Sequence, residues 1–186
     1  MTGMTNPIRP LAGFTLAILI VLMDQLSKWY VFERLLAPVS ENPRAPLGLM
    51  DWTAAAPERL PFTSMEVTPF FNIVSVWNFG VSFGMFRSDT PYLLIGLAAI
   101  ISVLFGIWLT RAENKAQVIA LGMAIGGAVG NVIDRLRFGA VADFLDFHAF
   151  GWHYPAFNVA DSCITLGIAL LALDALFWAP KRKSDS

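Results

Sequence analysis

The sequence predicts an all-α membrane protein: four transmembrane helices with a small β-rich segment on the outer surface. Three observations predict it. Hydrophobic residues make up 56% of the 186-residue chain and charged residues only 15%, where a soluble domain carries about 45–50% and about 25%. The apolar excess is gathered into four runs, each near the ~20 residues that a bilayer core requires. Between the first two runs lies a stretch rich in β-branched and aromatic residues, the composition of strands.

The first run covers residues 11–32. A basic residue, Arg9, and an apolar core resemble a cleavable signal peptide, but Asp24-Gln25-Leu26-Ser27-Lys28 stands where a small-residue cleavage site belongs. The segment is expected to stay as a helix. The second run, residues 91–110, carries no charge from Tyr92 to Leu109. The third, residues 116–136, holds Gly122, Gly126, Gly127 and Gly130. Small residues let helix backbones approach closely in lipid, which puts this helix at the centre of the bundle. The fourth covers residues 159–179. A single integral membrane domain over residues 1–186 is expected.

Residues 33–90 form a first outer loop. Its proline-rich part, residues 38–69, reads as irregular. Residues 70–86, FFNIVSVWNFGVSFGMF, read as short strands at the membrane surface, with Trp77 and the phenylalanines at headgroup level. A second outer loop, residues 135–158, is also rich in aromatics and reads as interfacial. Lys181-Arg182-Lys183 and the short connection with Arg111 and Lys115 assign both termini to the cytoplasm. Arginines in the outer segments keep charge alone from deciding the orientation. A net charge of −1 gives no reason to expect nucleic-acid binding. The lone Cys163 excludes a disulfide framework and reads as a packing residue.

Ionisable residues in or at the ends of spanning helices are costly, and each is a functional candidate. Asp24 and Lys28 have the spacing of an intrahelical ion pair. Asp134-Arg135 closes the third helix, with Asp134 three residues before Arg137, while Arg135 has the fork of donors to hold a carboxylate or a carbonyl. Asn158-Val159-Ala160-Asp161 opens the fourth helix as a cap with an acid in the first turn. Asp143 lies among apolar residues, and Asp146 reads as the solvated side of the same segment. His148 and His153 with these acids match no familiar zinc pattern, so no metal and no cofactor is expected. Asp174 belongs near the other membrane face. Two carboxylates at the outer ends of the third and fourth helices can share a proton and hydrolyse an amide by acid–base chemistry. Spacing leaves Asp134, Asp143 and Asp146 open as partners of Asp161.

The motifs Asp24-Gln25-Leu26-Ser27-Lys28, Asn78-Phe79-Gly80-Val81-Ser82-Phe83-Gly84, Gly130-Asn131-Val132-Ile133-Asp134-Arg135, Val141-Ala142-Asp143-Phe144 and Phe157-Asn158-Val159-Ala160-Asp161, taken in order, resemble those of the lipoprotein signal peptidases, or signal peptidase II. The resemblance implies an aspartic endopeptidase of the bacterial inner membrane. It implies Asp143 and Asp161 as the catalytic pair. It further implies Asn78, Asn131, Arg135 and Asn158 as positioning groups, and structural support from Asp24, to which Lys28 is joined. The implied substrate is a prolipoprotein, cut just before a diacylglyceryl-modified cysteine near the periplasmic face. Membrane lipids are the expected surroundings, and a monomer the expected state. Two departures stand out: residues 38–69 are longer than the family's usual connection, and Ala142 replaces a commoner valine. A proton-coupled transporter or a non-catalytic scaffold are the rivals. Clustering of the polar groups at one face favours an enzyme.

Overall fold

The computed structural model describes residues 8–80 and 92–177. The end of the β-rich reading at residues 81–86, residue 91, and the fourth helix's last residues with the basic tail lie outside the described residues. Among the described residues four helices are long and apolar enough to cross a membrane, Pro10–Val39, Tyr92–Thr110, Lys115–Phe138 and Val159–Phe177. They correspond to α1 (Ile8–Trp29) with its extension, α3 (Tyr92–Thr110), α4 (Lys115–Phe138) and α5 (Val159–Phe177). Their outward faces expose residues such as Leu22, Ile100, Leu104 and Leu166, as helices in contact with lipid do.

The central helix is α4, which packs on α1, α3 and α5. Asn114 caps it by accepting from the Gln117 amide at 2.9 Å, and Gly139 ends it at φ 70°. A methyl group on Gly126 would lie 2.7 Å from the Ala17 carbonyl oxygen of α1, so α1 and α4 touch backbone to backbone. Gly126→Ala is expected to force the helices apart at a cost of about 1–3 kcal/mol. It should lower the Tm in detergent, while Gly96→Ala, with nothing within 4 Å of the added carbon, should not.

The first spanning segment is longer than the apolar run predicts. After Trp29 the chain continues as π-helix over Tyr30–Leu36 and as a 3-10 turn over Ala37–Val39. Residues read as the start of the outer loop are therefore helical. The cause is long-range packing: Val31, Phe32, Leu36 and Ala37 are buried with Leu60, Ala142 and Phe144. Glu33 is buried within this stretch, and the Arg44 guanidinium donates two bonds of 2.6 Å to it.

The proline-rich segment is not wholly irregular. It contains α2 (Leu49–Ala54) and β1 (Ser64–Thr68). β1 pairs with β2 (Phe71–Asn78), β2 with β3 (Val141–Ala149), and β3 with β4 (Trp152–His153), all antiparallel in the order β1-β2-β3-β4. Thus the second outer loop is largely a hairpin. Trp77 does not lie at a lipid surface. Its ring packs inward, 5.2 Å from both Phe32 and Phe138, and its indole N–H donates to the Leu60 carbonyl at 2.9 Å.

Candidate active site

The sheet sits at one end of the helix bundle and brings β3 alongside the start of α5. Asp143 is on β3, opposite Val76 of β2. One extra residue in β2 between Ile73 and Val76 shifts the register, and the strand's end then delivers Asn78 to Asp143. Asn78 Nδ2 donates to Asp143 Oδ2 at 3.1 Å, and Asn158 Nδ2 donates to Asp143 Oδ1 at 2.7 Å.

Asn158 serves both acids. Its Oδ1 accepts from the Asp161 amide at 2.9 Å, the bond of a helix N-cap. Asn131 of α4 donates from Nδ2 to Asp161 Oδ1 at 2.7 Å, and its own Oδ1 accepts from Asn158 at 3.3 Å. The two carboxylates are thus joined through a continuous set of side-chain amides. Arg135, one turn beyond Asn131, donates to the Gly80 carbonyl at 3.1 Å and to the Asn131 carbonyl at 3.4 Å. Its charge lies in the field of Asp161, Asp143 and Asp134.

The two acids differ in access. Asp143 is 1% exposed. Burial, with the neighbouring Asp161 charge adding to it, pushes the Asp143 carboxyl up to about 8. Asp161 is half-buried and lines a cavity of about 840 Å³. One wall of that cavity is α5, with Ser162, Thr165 and Leu166; the other is aromatic, with Phe147, Trp152 and Tyr154.

Beneath the pair lies a fully buried ionic triad. Lys28 Nζ is 2.7 Å from Asp24 Oδ2 and 2.7 Å from Asp134 Oδ2, and all three side chains are 0% exposed. Both carboxylates also accept from backbone amides. Asp24 Oδ1 accepts from the Ala160 amide at 3.0 Å, and Asp134 Oδ2 accepts from the Ala142 amide at 3.1 Å. Those amides belong to the residues just before Asp161 and Asp143. Gly130 makes room for the triad, since a methyl there would sit 2.7 Å from Asp24 Oδ2.

A family model described as signal peptidase II matches residues 16–177. A lipoprotein signal peptidase of Rhizorhabdus wittichii is 40% identical over 172 residues, 90% of this chain and 87% of that one. Another, from Sphingopyxis alaskensis, is 36% identical over 173 residues, 91% of this chain and 87% of its own. The chain belongs to the signal peptidase II family. A bacterial membrane enzyme solved by the in meso method at 2.3 Å has the same architecture, with TM-score 0.67 and 27% identity over 94% of this chain and 92% of that one.

Within this family member, six of the residues singled out from the sequence meet at one place: Asn78, Asn131, Arg135, Asp143, Asn158 and Asp161. Two readings need correction. Asp134 does not pair with Arg137 along its helix; it turns to Lys28 of α1. Arg137 instead donates to the Trp52 carbonyl and stacks 4.1 Å over the Trp52 ring. Asp146 is not solvated. It is 6% exposed, accepts from Asn72 at 2.9 Å and faces His153 Nδ1 at 2.9 Å. Gln25 was missed: it donates to Asp134 Oδ1 at 2.9 Å and accepts from Arg137 at 3.3 Å. Its place inside the first motif was the available signal. Asp174, at the far end of α5, is also buried, held by Asn114 and Gln117 at 2.8 Å each.

Proposed function

We propose that Asp143 and Asp161 are the catalytic dyad of a membrane aspartic endopeptidase that removes the signal peptide from prolipoproteins. The bond cut lies just before a diacylglyceryl-modified cysteine. The observation that carries this reading is the pairing of a buried, amide-held Asp143 with an Asp161 that opens on an apolar cavity. A lipid-bearing cysteine must stay in the bilayer while its peptide bond meets water. A carboxylate in the first turn of a spanning helix, beside an aromatic-walled cavity, fits that need.

In this mechanism Asp143 enters protonated and Asp161 ionised. Asp161 removes a proton from a water whose oxygen attacks the scissile carbonyl, and Asp143 gives its proton to the carbonyl oxygen. In the collapse of the tetrahedral diol Asp161 gives its proton to the amide nitrogen, Asp143 takes one back from a diol hydroxyl, and the C–N bond breaks. Arg135, Asn131 and Asn158 hold the reacting groups, Asn78 holds Asp143 from the sheet, and Asp24 with Lys28 supports the frame. No metal or cofactor takes part. All these groups come from one chain, which supports a working monomer among membrane lipids. Arg111 and Lys115 in the short α3–α4 connection support cytoplasmic termini in the inner membrane, with the dyad near the periplasmic face.

The test is cleavage by purified protein in detergent of two forms of one prolipoprotein, with and without the diacylglyceryl group. The lipidated form should be cut before the modified cysteine. Equal cleavage of the unmodified form would remove the lipid from the account, and cleavage at another bond would remove the assigned substrate.

A further inference from the structure

Residues 44–60 lie in the long connection that the dyad chemistry does not use. They cover the end of α4 and the inner side of β2. Arg137 reaches out from α4 to the Trp52 and Ala55 carbonyls, and Trp52 is buried 5.8 Å from the Phe138 ring. Glu33 fixes the near end through Arg44 and the Leu47 amide at 3.0 Å. At the far end Leu60 receives the Trp77 indole, and the Thr63 carbonyl receives the Ser75 amide at 2.9 Å.

Arg59 sits where these attachments meet the site. Its NH1 donates to the Phe138 carbonyl at 3.2 Å, and its guanidinium lies 5.0 Å from the centre of the Phe79 ring. Phe79 stands between Asn78, which holds Asp143, and Gly80, whose carbonyl receives Arg135. The segment therefore ties the end of α4 to the very turn of chain that reaches both the dyad and Arg135. Phe79 is 41% exposed, and the Arg59 guanidinium makes a cation–π contact with its ring.

We propose that residues 44–60 form a brace for the β2 edge of the active site, in which Arg59, through Phe79 and the Phe138 carbonyl, is the positioning residue that holds Asn78 against Asp143. The inference rests on Asn78 serving the dyad as described above.

The test combines Arg59→Ala, Arg59→Lys, Phe79→Leu and Asn78→Ala in a cleavage assay, with Tm recorded for each. Arg59→Ala and Phe79→Leu should each lower kcat about 5- to 10-fold with KM within about 2-fold, the size of one lost cation–π contact. Arg59→Lys, which keeps a cation over the ring, should restore most of the rate. In the Asn78→Ala background, Arg59→Ala should cost less than about 2-fold, because residues acting as one unit are not additive. Full activity of Arg59→Ala and Phe79→Leu beside a slow Asn78→Ala would overturn the brace and leave the dyad reading standing. Full additivity would do the same. An Asn78→Ala variant with unchanged rate would instead strike at the assignment of Asn78. Should Arg59→Ala lose its fold, Phe79→Leu, which leaves the Phe138 bond in place, still decides.

Discussion

Asp161→Asn is expected to abolish cleavage, with a loss of at least about 1000-fold, or about 4 kcal/mol of transition-state stabilisation. The change is nearly isosteric. Asn131 donates to Oδ1 of Asp161 and Asn158 accepts from its backbone amide, and an asparagine keeps both bonds. Only the base is lost, so Tm should hold. Asp143→Asn should be as inactive but less benign. Both of its oxygens accept from asparagine donors, and a new amide group must aim its own N–H at one of them. A buried donor facing a donor costs about 1–3 kcal/mol. Activity and thermal unfolding measured side by side separate the two effects. Substantial residual cleavage in either variant would turn attention to Asp134 or Asp146.

Lys28→Met is expected to be the most damaging single change away from the dyad. It leaves Asp24 and Asp134 facing each other with no cation, each fully buried. Breaking a buried pair in this way costs about 3–5 kcal/mol. It also loosens the two carboxylates that hold the Ala142 and Ala160 amides, and with them the backbone just before Asp143 and Asp161. Both Tm and kcat should fall. Combining Lys28→Met with Asp24→Asn and Asp134→Asn removes all three charges while leaving oxygens for the two amides. This triple variant should regain much of the lost Tm. If Lys28→Met alone unfolds like wild type, the triad does not carry the frame.

The spanning helices were legible because a bilayer demands long apolar runs, and Gly126 and Gly130 announced a close-packed α4. The extension of α1 was hidden. Glu33 and Pro38 look like loop residues until Arg44 is seen against Glu33 and the buried face of β3 against Leu36 and Ala37. β3 itself lacks a clean alternation, because its first four residues are all buried; a two-residue period shows only when one face meets solvent. Asp134 shows the limit of local spacing. Its neighbour at Arg137 was visible, whereas Lys28 lies on another helix brought near by glycine. The cap pattern at Asn158 was readable, but its second bond, to Asp143, depends on the sheet. Among the three acids left open by spacing, Asp134 is committed to Lys28 and Asp146 to Asn72 and His153. Among the described residues Asp143 is held only by amides, an environment that supports the choice made through the family resemblance.

The shared proton is the centre of this account, and the pH dependence of kcat/KM reads it directly. Burial raises the Asp143 carboxyl from its usual 3.8 to about 8, so the acid is present below that pH and lost above it. The apparent values belong to the coupled pair. Cleavage of a lipidated prolipoprotein measured from pH 4 to 10 should follow a bell, with its basic limb near 8 and full recovery when the sample is returned to neutral pH. A rate that stays level to pH 10 in a folded protein would mean that no carboxyl proton is needed, and would contradict the dyad.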